Sequence, residues 1–176
     1  TVINYDPLTN LTVKNNTGDV IVNAAAGERT LNITMDKQGA AGGGVEDATA
    51  TTVNITASGT KSAGVWLDTD AAKTINFAGD KSISIALYDL GGNANVVTAI
   101  NSTNSAGVTI TTALGNTTAF TGGAGKDTIT ISNANTKATA MGAGDDKVNV
   151  TGTTLDTNGT IDGGDEIGRA SCRERV

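Results

Sequence analysis

Short triplets in which one polar residue separates two apolar ones recur along this chain at nearly fixed distance. Leu31-Asn32-Ile33, Val53-Asn54-Ile55 and Ile75-Asn76-Phe77 follow one another at steps of 22 residues, and Leu11-Thr12-Val13 stands 20 residues before the first of them. A second series, Val108-Thr109-Ile110, Ile129-Thr130-Ile131 and Val148-Asn149-Val150, runs at steps of 21 and 19. Alternation of period two predicts strands, because successive side chains of an extended backbone point to opposite faces. β-Branched residues suit that pleated surface, and the separators, such as Gly42-Gly43-Gly44 and Gly91-Gly92-Asn93, are turn formers. No window sustains a helical period.

A period of about 20 residues with two or three short strands is what one coil of a β-solenoid needs, since a coil cannot bury its apolar edge alone and stacked neighbours do it together. The expected fold is therefore all-β, a parallel β-solenoid with like strands in parallel ladders. Leu31, Ile33, Val53, Ile55, Ile75 and Phe77 are expected to face inward, with Asn32, Asn54 and Asn76 in an outward column. A β-sandwich built of hairpins would also give short alternating strands at regular spacing, and it stands as the alternative. Thr1 to Pro7 and the segment around Trp66 fit the repeat poorly and are expected to form a cap or an inserted loop.

Composition favours the repeated arrangement. The 176 residues include 23 Gly, a single Pro, no His and only 3% aromatic side chains, so the apolar surface must be spread thinly along a regular structure. The last eleven residues, Glu166 to Val176, read EIGRASCRERV and look like a translated sequencing adapter, which removes them from fold reasoning. Without them the chain has no cysteine, hence no disulfide, thiolate metal site or cysteine nucleophile. It also keeps 9 Lys/Arg against 16 Asp/Glu, with no basic cluster to neutralise a phosphate backbone, so nucleic acid is not an expected partner. No apolar stretch approaches the roughly 18 residues of a membrane span, and no transmembrane segment is expected. The chain starts without an initiator Met or a leader, as an internal fragment of a longer protein would.

The candidate chemistry lies in glycine-rich bends. Gly122-Gly123-Ala124-Gly125-Lys126-Asp127-Thr128-Ile129-Thr130 fits every position of the nonapeptide G-G-x-G-x-D-x-U-x, where U is apolar. Glycines allow a tight turn whose carbonyls face inward, and the aspartate adds the hard, charged oxygen that calcium prefers. The pattern returns as Gly142-Ala143-Gly144-Asp145-Asp146-Lys147-Val148, with Met141 in the first glycine position, and begins again at Ile161-Asp162-Gly163-Gly164-Asp165. Asp127 and Asp146, 19 residues apart, are expected to come from stacked turns and to share an ion, with Asp145 facing solvent or supporting the site and Asp165 a ligand of a truncated turn. The expected metal residues are Gly122, Gly123, Gly125, Asp127, Gly142, Gly144, Asp146, Gly164 and Asp165. Gly-Asp turns that hold no metal are the alternative.

On these motifs the chain resembles the haemolysin-type calcium-binding repeat family, the RTX proteins exported by type I secretion, and its Thr/Asn/Gly-rich β portion is similar to bacterial surface-layer proteins of that family. The nonapeptide likeness covers about residues 120–165, and over residues 1–119 it is compositional and periodic only. The resemblance implies a right-handed parallel β-helix ending in a calcium β-roll, Ca2+ held between coils, and folding outside the cell. The implied organisation is a β-solenoid region at 1–119, a truncated calcium roll at 120–165 and the adapter-like tail at 166–176. Ser132 to Ala140 and Thr151 to Gly159 depart from the family pattern where a second nonapeptide would sit, which leaves one of two calcium columns unsupported.

Other carboxylates match no ligand motif. Asp68, Asp70, Asp80 and Asp89 read as solvated turn residues, no His is present for a triad, and no Ser sits in a nucleophile elbow. The expectation is therefore a non-enzymatic, extracellular structural protein of a bacterial cell surface, self-associating into a lattice that calcium could bridge and attached through a cell-surface polysaccharide. An RTX adhesin, or the accessory roll of a secreted enzyme, are the alternatives.

Overall fold

The computed structural model describes residues 1–25, 27–39, 43–88, 97–152 and 158–164. Those residues form sixteen strands and no helix. Eight belong to a first sheet: β1 (Val2–Asn4), β3 (Val20–Asn23), β5 (Gly44–Glu46), β7 (Ser62–Asp68), β9 (Ile83–Leu87), β11 (Val108–Leu114), β13 (Thr128–Ser132) and β15 (Lys147–Thr151). The other eight form a second: β2 (Asn10–Lys14), β4 (Thr30–Asp36), β6 (Thr52–Ala57), β8 (Thr74–Gly79), β10 (Ala99–Ser102), β12 (Ala119–Thr121), β14 (Ala138–Ala140) and β16 (Thr160–Asp162). Each strand pairs in parallel with the strand two places on, so every coil lays one strand in each sheet. This is a parallel β-solenoid, and the sandwich alternative, which needs antiparallel hairpins, is excluded.

The core lies between the sheets. Leu31, Ile33, Val53, Ile55, Ile75 and Phe77 are all buried, and Ile83, Ile85, Leu87, Ile110, Ile129 and Ile131 meet them from the facing sheet. The two triplet series thus belong to opposite sheets, β4, β6 and β8 in one and β11, β13 and β15 in the other. The same sheets run through the boundary at residue 119.

On the outer face, Asn10, Asn32, Asn54, Asn76 and Asn101 stand in one register column. Each side-chain amide donates to the carbonyl of the asparagine one coil earlier: Asn76 to Asn54 at 2.8 Å, Asn54 to Asn32 at 2.7 Å and Asn32 to Asn10 at 3.2 Å, with Asn101 to Asn76 at 2.8 Å closing the series. Parallel, in-register stacking repeats one side chain at each of these rungs, so Asn32, Asn54 and Asn76 each find both a donor and an acceptor in their own column.

Two expectations are corrected. Residues 2–4 are strand β1, paired in register with β3 at the end of the first sheet, with residues 5–7 outside any strand, and Trp66 lies in β7, paired with β5 and β9, so the segment around Trp66 is not an inserted loop. A bulge between Ala63 and Val65, with Gly64 at φ 69°, breaks the alternation of β7 and hides the strand from a period-two reading. Leu11 pairs with Ile33 and Val13 with Met35, so β2 joins the ladder at the 22-residue step of its neighbours.

Candidate metal centre

The three Gly-Asp bends fall at one edge of the solenoid, where the chain crosses from the second sheet to the first. Gly122, Gly123 and Gly125 connect β12 to β13, Gly142 and Gly144 connect β14 to β15, and Gly164 follows β16. The bends stack directly. The N–H of Gly122 donates to the carbonyl of Ala140 and that of Ala143 to the carbonyl of Gly123, both at 2.7 Å. Gly142 adopts φ 82°, and a side chain there would collide with the carbonyl oxygens of Gly122 and Gly123; Gly164, at φ 77°, sits equally hard against the carbonyl of Gly142. Only glycine satisfies both the left-handed backbone and this approach.

Asp127 and Asp146 occupy equivalent positions, each one residue before its strand, and Thr128 pairs with Lys147 in register. Asp127 is fully buried. Its Oδ1 accepts the N–H of Val108 at 2.8 Å, in the preceding coil, and its Oδ2 accepts the N–H of Gly123 at 3.3 Å, within its own bend. The Oδ1 of Asp146 accepts the N–H of Asp127 at 2.7 Å. Its Oδ2 is buried and has no hydrogen-bond partner. Burial pushes the Asp127 carboxyl up from 3.8 to about 6; the two N–H donors oppose that rise and the nearby Asp146 charge adds to it.

Among the described residues, no three acidic, histidine or cysteine side chains converge on one point. The carboxylates reach back to main-chain N–H groups, as they would in a metal-free Gly-Asp turn. The donor set nevertheless suits a hard cation. A carboxylate oxygen keeps spare lone pairs after accepting one hydrogen bond, Asp146 Oδ2 is wholly unspent, and the Gly125 carbonyl and the Asp146 carboxylate crowd the same glycine, Gly144. Asp127, Asp146 and the carbonyls of Gly122, Gly125 and Gly142 are the groups that would hold an ion.

Asp145 faces solvent, where its carboxylate meets Lys126 Nζ of the preceding coil at 2.7 Å. Asp165 lies outside the described residues, as does Asp89. Asp80 is exposed beside Lys81, as expected of a turn residue, whereas Asp68 lies in strand β7. Two buried polar groups escaped the motif search. Asn104, in the bend one coil before Asp127, caps the N–H groups of Ala106 and Gly107 with its Oδ1 and donates to the carbonyls of Ala78 and Lys81. At the opposite edge a buried Arg29 donates to both carboxylate oxygens of Asp47, which also accepts the N–H groups of Thr49 and Ala50. The run Asp47-Ala48-Thr49 carries a signal for the latter, because aspartate commonly caps its own backbone two residues on.

The fold and the bends define a class: a two-sheet parallel β-solenoid with stacked glycine–aspartate bends along one edge. No protein-family model matches the chain, and no curated protein matches its sequence. No helix among the described residues is long and apolar enough to cross a membrane.

Proposed function

We propose that this chain is a calcium-stabilised structural segment of a secreted bacterial surface-layer protein, in which the solenoid is a rigid acidic rod and calcium locks the coils at 122–151. The observation that supports the calcium reading most directly is the pairing of Asp127 with Asp146 on adjacent coils, where Asp146 Oδ2 is buried without a partner beside stacked glycine carbonyls. A divalent ion there would neutralise two neighbouring carboxylates and satisfy the unspent oxygen, and its binding free energy would become folding free energy for the coils. The net charge of −6 and the absence of His fit a structural role outside the cell rather than catalysis.

Calorimetric titration with calcium, in parallel with thermal melting, tests the first half. Saturable binding with a raised melting temperature is expected, and replacement of Asp146 by Ala is expected to abolish both; a variant that binds as tightly as the parent would move the site elsewhere. Electron microscopy of the full-length parent protein tests the second half. Ordered two-dimensional arrays are expected in calcium and dispersed molecules in chelator, and arrays that survive chelation would refute calcium-dependent assembly.

A further inference from the structure

Asn104 is fully buried, and its side chain leaves no hydrogen-bonding position unused. It lies in the bend 103–107, which joins β10 to β11 at the same edge as the Gly-Asp bends. Its Oδ1 accepts the N–H groups of Ala106 at 2.8 Å and Gly107 at 3.0 Å, within its own bend. Its Nδ2 donates to the carbonyls of Ala78 at 3.2 Å and Lys81 at 2.9 Å, in the coil before. A carboxamide offers two N–H donors and two acceptor lone pairs, so all four are spent. The opposite placement of the amide would set oxygen against oxygen and N–H against N–H.

Buried carbonyl oxygens that converge on one centre are hard donors of the kind calcium takes, and here the centre is the Asn104 nitrogen, whose two hydrogens carry the positive end of the amide dipole. The next bend along this edge packs directly on this one, since a side chain at Gly125 would collide with the Asn104 carbonyl oxygen and the Gly107 nitrogen. That bend carries Asp127 in place of an amide, and the one after it leaves Asp146 Oδ2 buried and unspent. A neutral, fully matched bend thus adjoins charged ones. The same device recurs at the opposite edge, where buried Asn135 accepts the N–H of Lys137 at 2.7 Å and donates to the carbonyl of Thr118, one coil earlier, at 3.4 Å.

We propose that the Asn104 amide fills a cation's place in the bend 103–107, so that this bend closes without metal and excludes calcium. The ion-held bends then begin at Asp127. As a boundary to the calcium column the inference rests on the calcium reading; as an assignment for Asn104 it stands apart from it. An aspartate at 104 would still cap Ala106 and Gly107 through one oxygen, but its other oxygen would face the carbonyls of Ala78 and Lys81. Oxygen against oxygen is repulsive there unless a cation lies between them, and the four oxygens would then form the nucleus of a calcium site. A single side-chain atom, nitrogen or oxygen, decides whether the bend needs metal.

The full chain and its variants Asn104→Asp and Asn104→Ala are compared in chelator and in saturating calcium chloride, by urea unfolding and by calorimetric counting of bound calcium. In chelator Asn104→Asp is expected to raise the unfolding equilibrium constant about tenfold or more. Calcium is expected to return it to the parent's stability, with one ion bound beyond the parent's number. Should this variant not fold in chelator, recovery of its β circular dichroism on addition of calcium reads the same effect. Asn104→Ala, which loses the same contacts and brings no carboxylate, is expected to be weakened by a similar factor and to gain no more from calcium than the parent does. An Asn104→Asp variant as stable as the parent in chelator, no additional ion, or equal rescue of both variants would each overturn the proposal. A parent that binds no calcium beside an Asn104→Asp variant that binds one would refute the calcium reading of 122–151 and support the assignment of Asn104.

Discussion

At the scale of single residues, Asp127 is held in opposition to its surroundings. The folded chain keeps the Asp127 proton more tightly than an unfolded chain would, since burial raises its carboxyl from 3.8 to about 6. Its stabilising effect is therefore complete below about pH 4 and is lost as pH rises through about 6, a decrease of about 2–3 kcal/mol. Urea unfolding in chelator is expected to show stability falling between those values, and saturating calcium is expected to flatten the profile by compensating the charge. Arg29 and Asp47 present the opposite case, a buried pair with side chains 5% and 0% exposed. Replacing Arg29 with Ala strands a buried carboxylate and is expected to cost about 3–5 kcal/mol in equilibrium unfolding, whereas exposed Lys126→Ala, which loses only a surface pair, is expected to change stability by less than about 1 kcal/mol.

At the scale of the elements, the asparagine ladder is the most testable feature. Asn54 both donates to Asn32 and accepts from Asn76, so Asn54→Ala removes two partly exposed hydrogen bonds at once. A loss of about 1–2 kcal/mol is expected by urea unfolding. Asn54→Asp keeps the acceptor but not the donor and places a charge in a neutral column, so it is expected to be at least as costly above the carboxylate pKa. The middle of the ladder was legible from the triplets, because side-chain period and coil length both show in the spacing of Asn32, Asn54 and Asn76, whereas Asn10 was hidden by a triplet that aligns Thr12 with Asn32 and Asn101 by its 25-residue step. What the triplets did not show is which sheet each series occupies, for Leu31 and Ile129 alternate in the same way and differ only in their partners. The strand containing Trp66 was hidden by its bulge. The Gly-Asp bends were found by motif, and their stacking followed from repeat length, but the reach of each carboxylate to a main-chain N–H depends on three-dimensional contact that no spacing encodes.

At the scale of the whole molecule, each coil touches only its neighbours, so stability is distributed along one dimension and segments can open independently. The coils from β4 to β9 bury Leu31, Met35, Leu67, Phe77 and Leu87, whereas Val150 and Ile161 are 38% and 39% exposed. Hydrogen exchange in chelator is expected to be faster through 122–151 than through 30–87. Calcium is expected to protect the former selectively; uniform protection along the rod would contradict a local site.

The bend carboxylates give this rod a direction. Asp127 completes the backbone of the coil before it, at Val108, and Asp146 does the same for the coil of Asp127. Each of these two coils closes part of its bend from within, through Asn104 or through Asp127 Oδ2, and takes the remaining acceptor from its successor. A chain emerging from its N-terminus would thus finish these two bends one step late, as a zip fastener closes behind its slider, and the more vulnerable of them at any moment would be the newer.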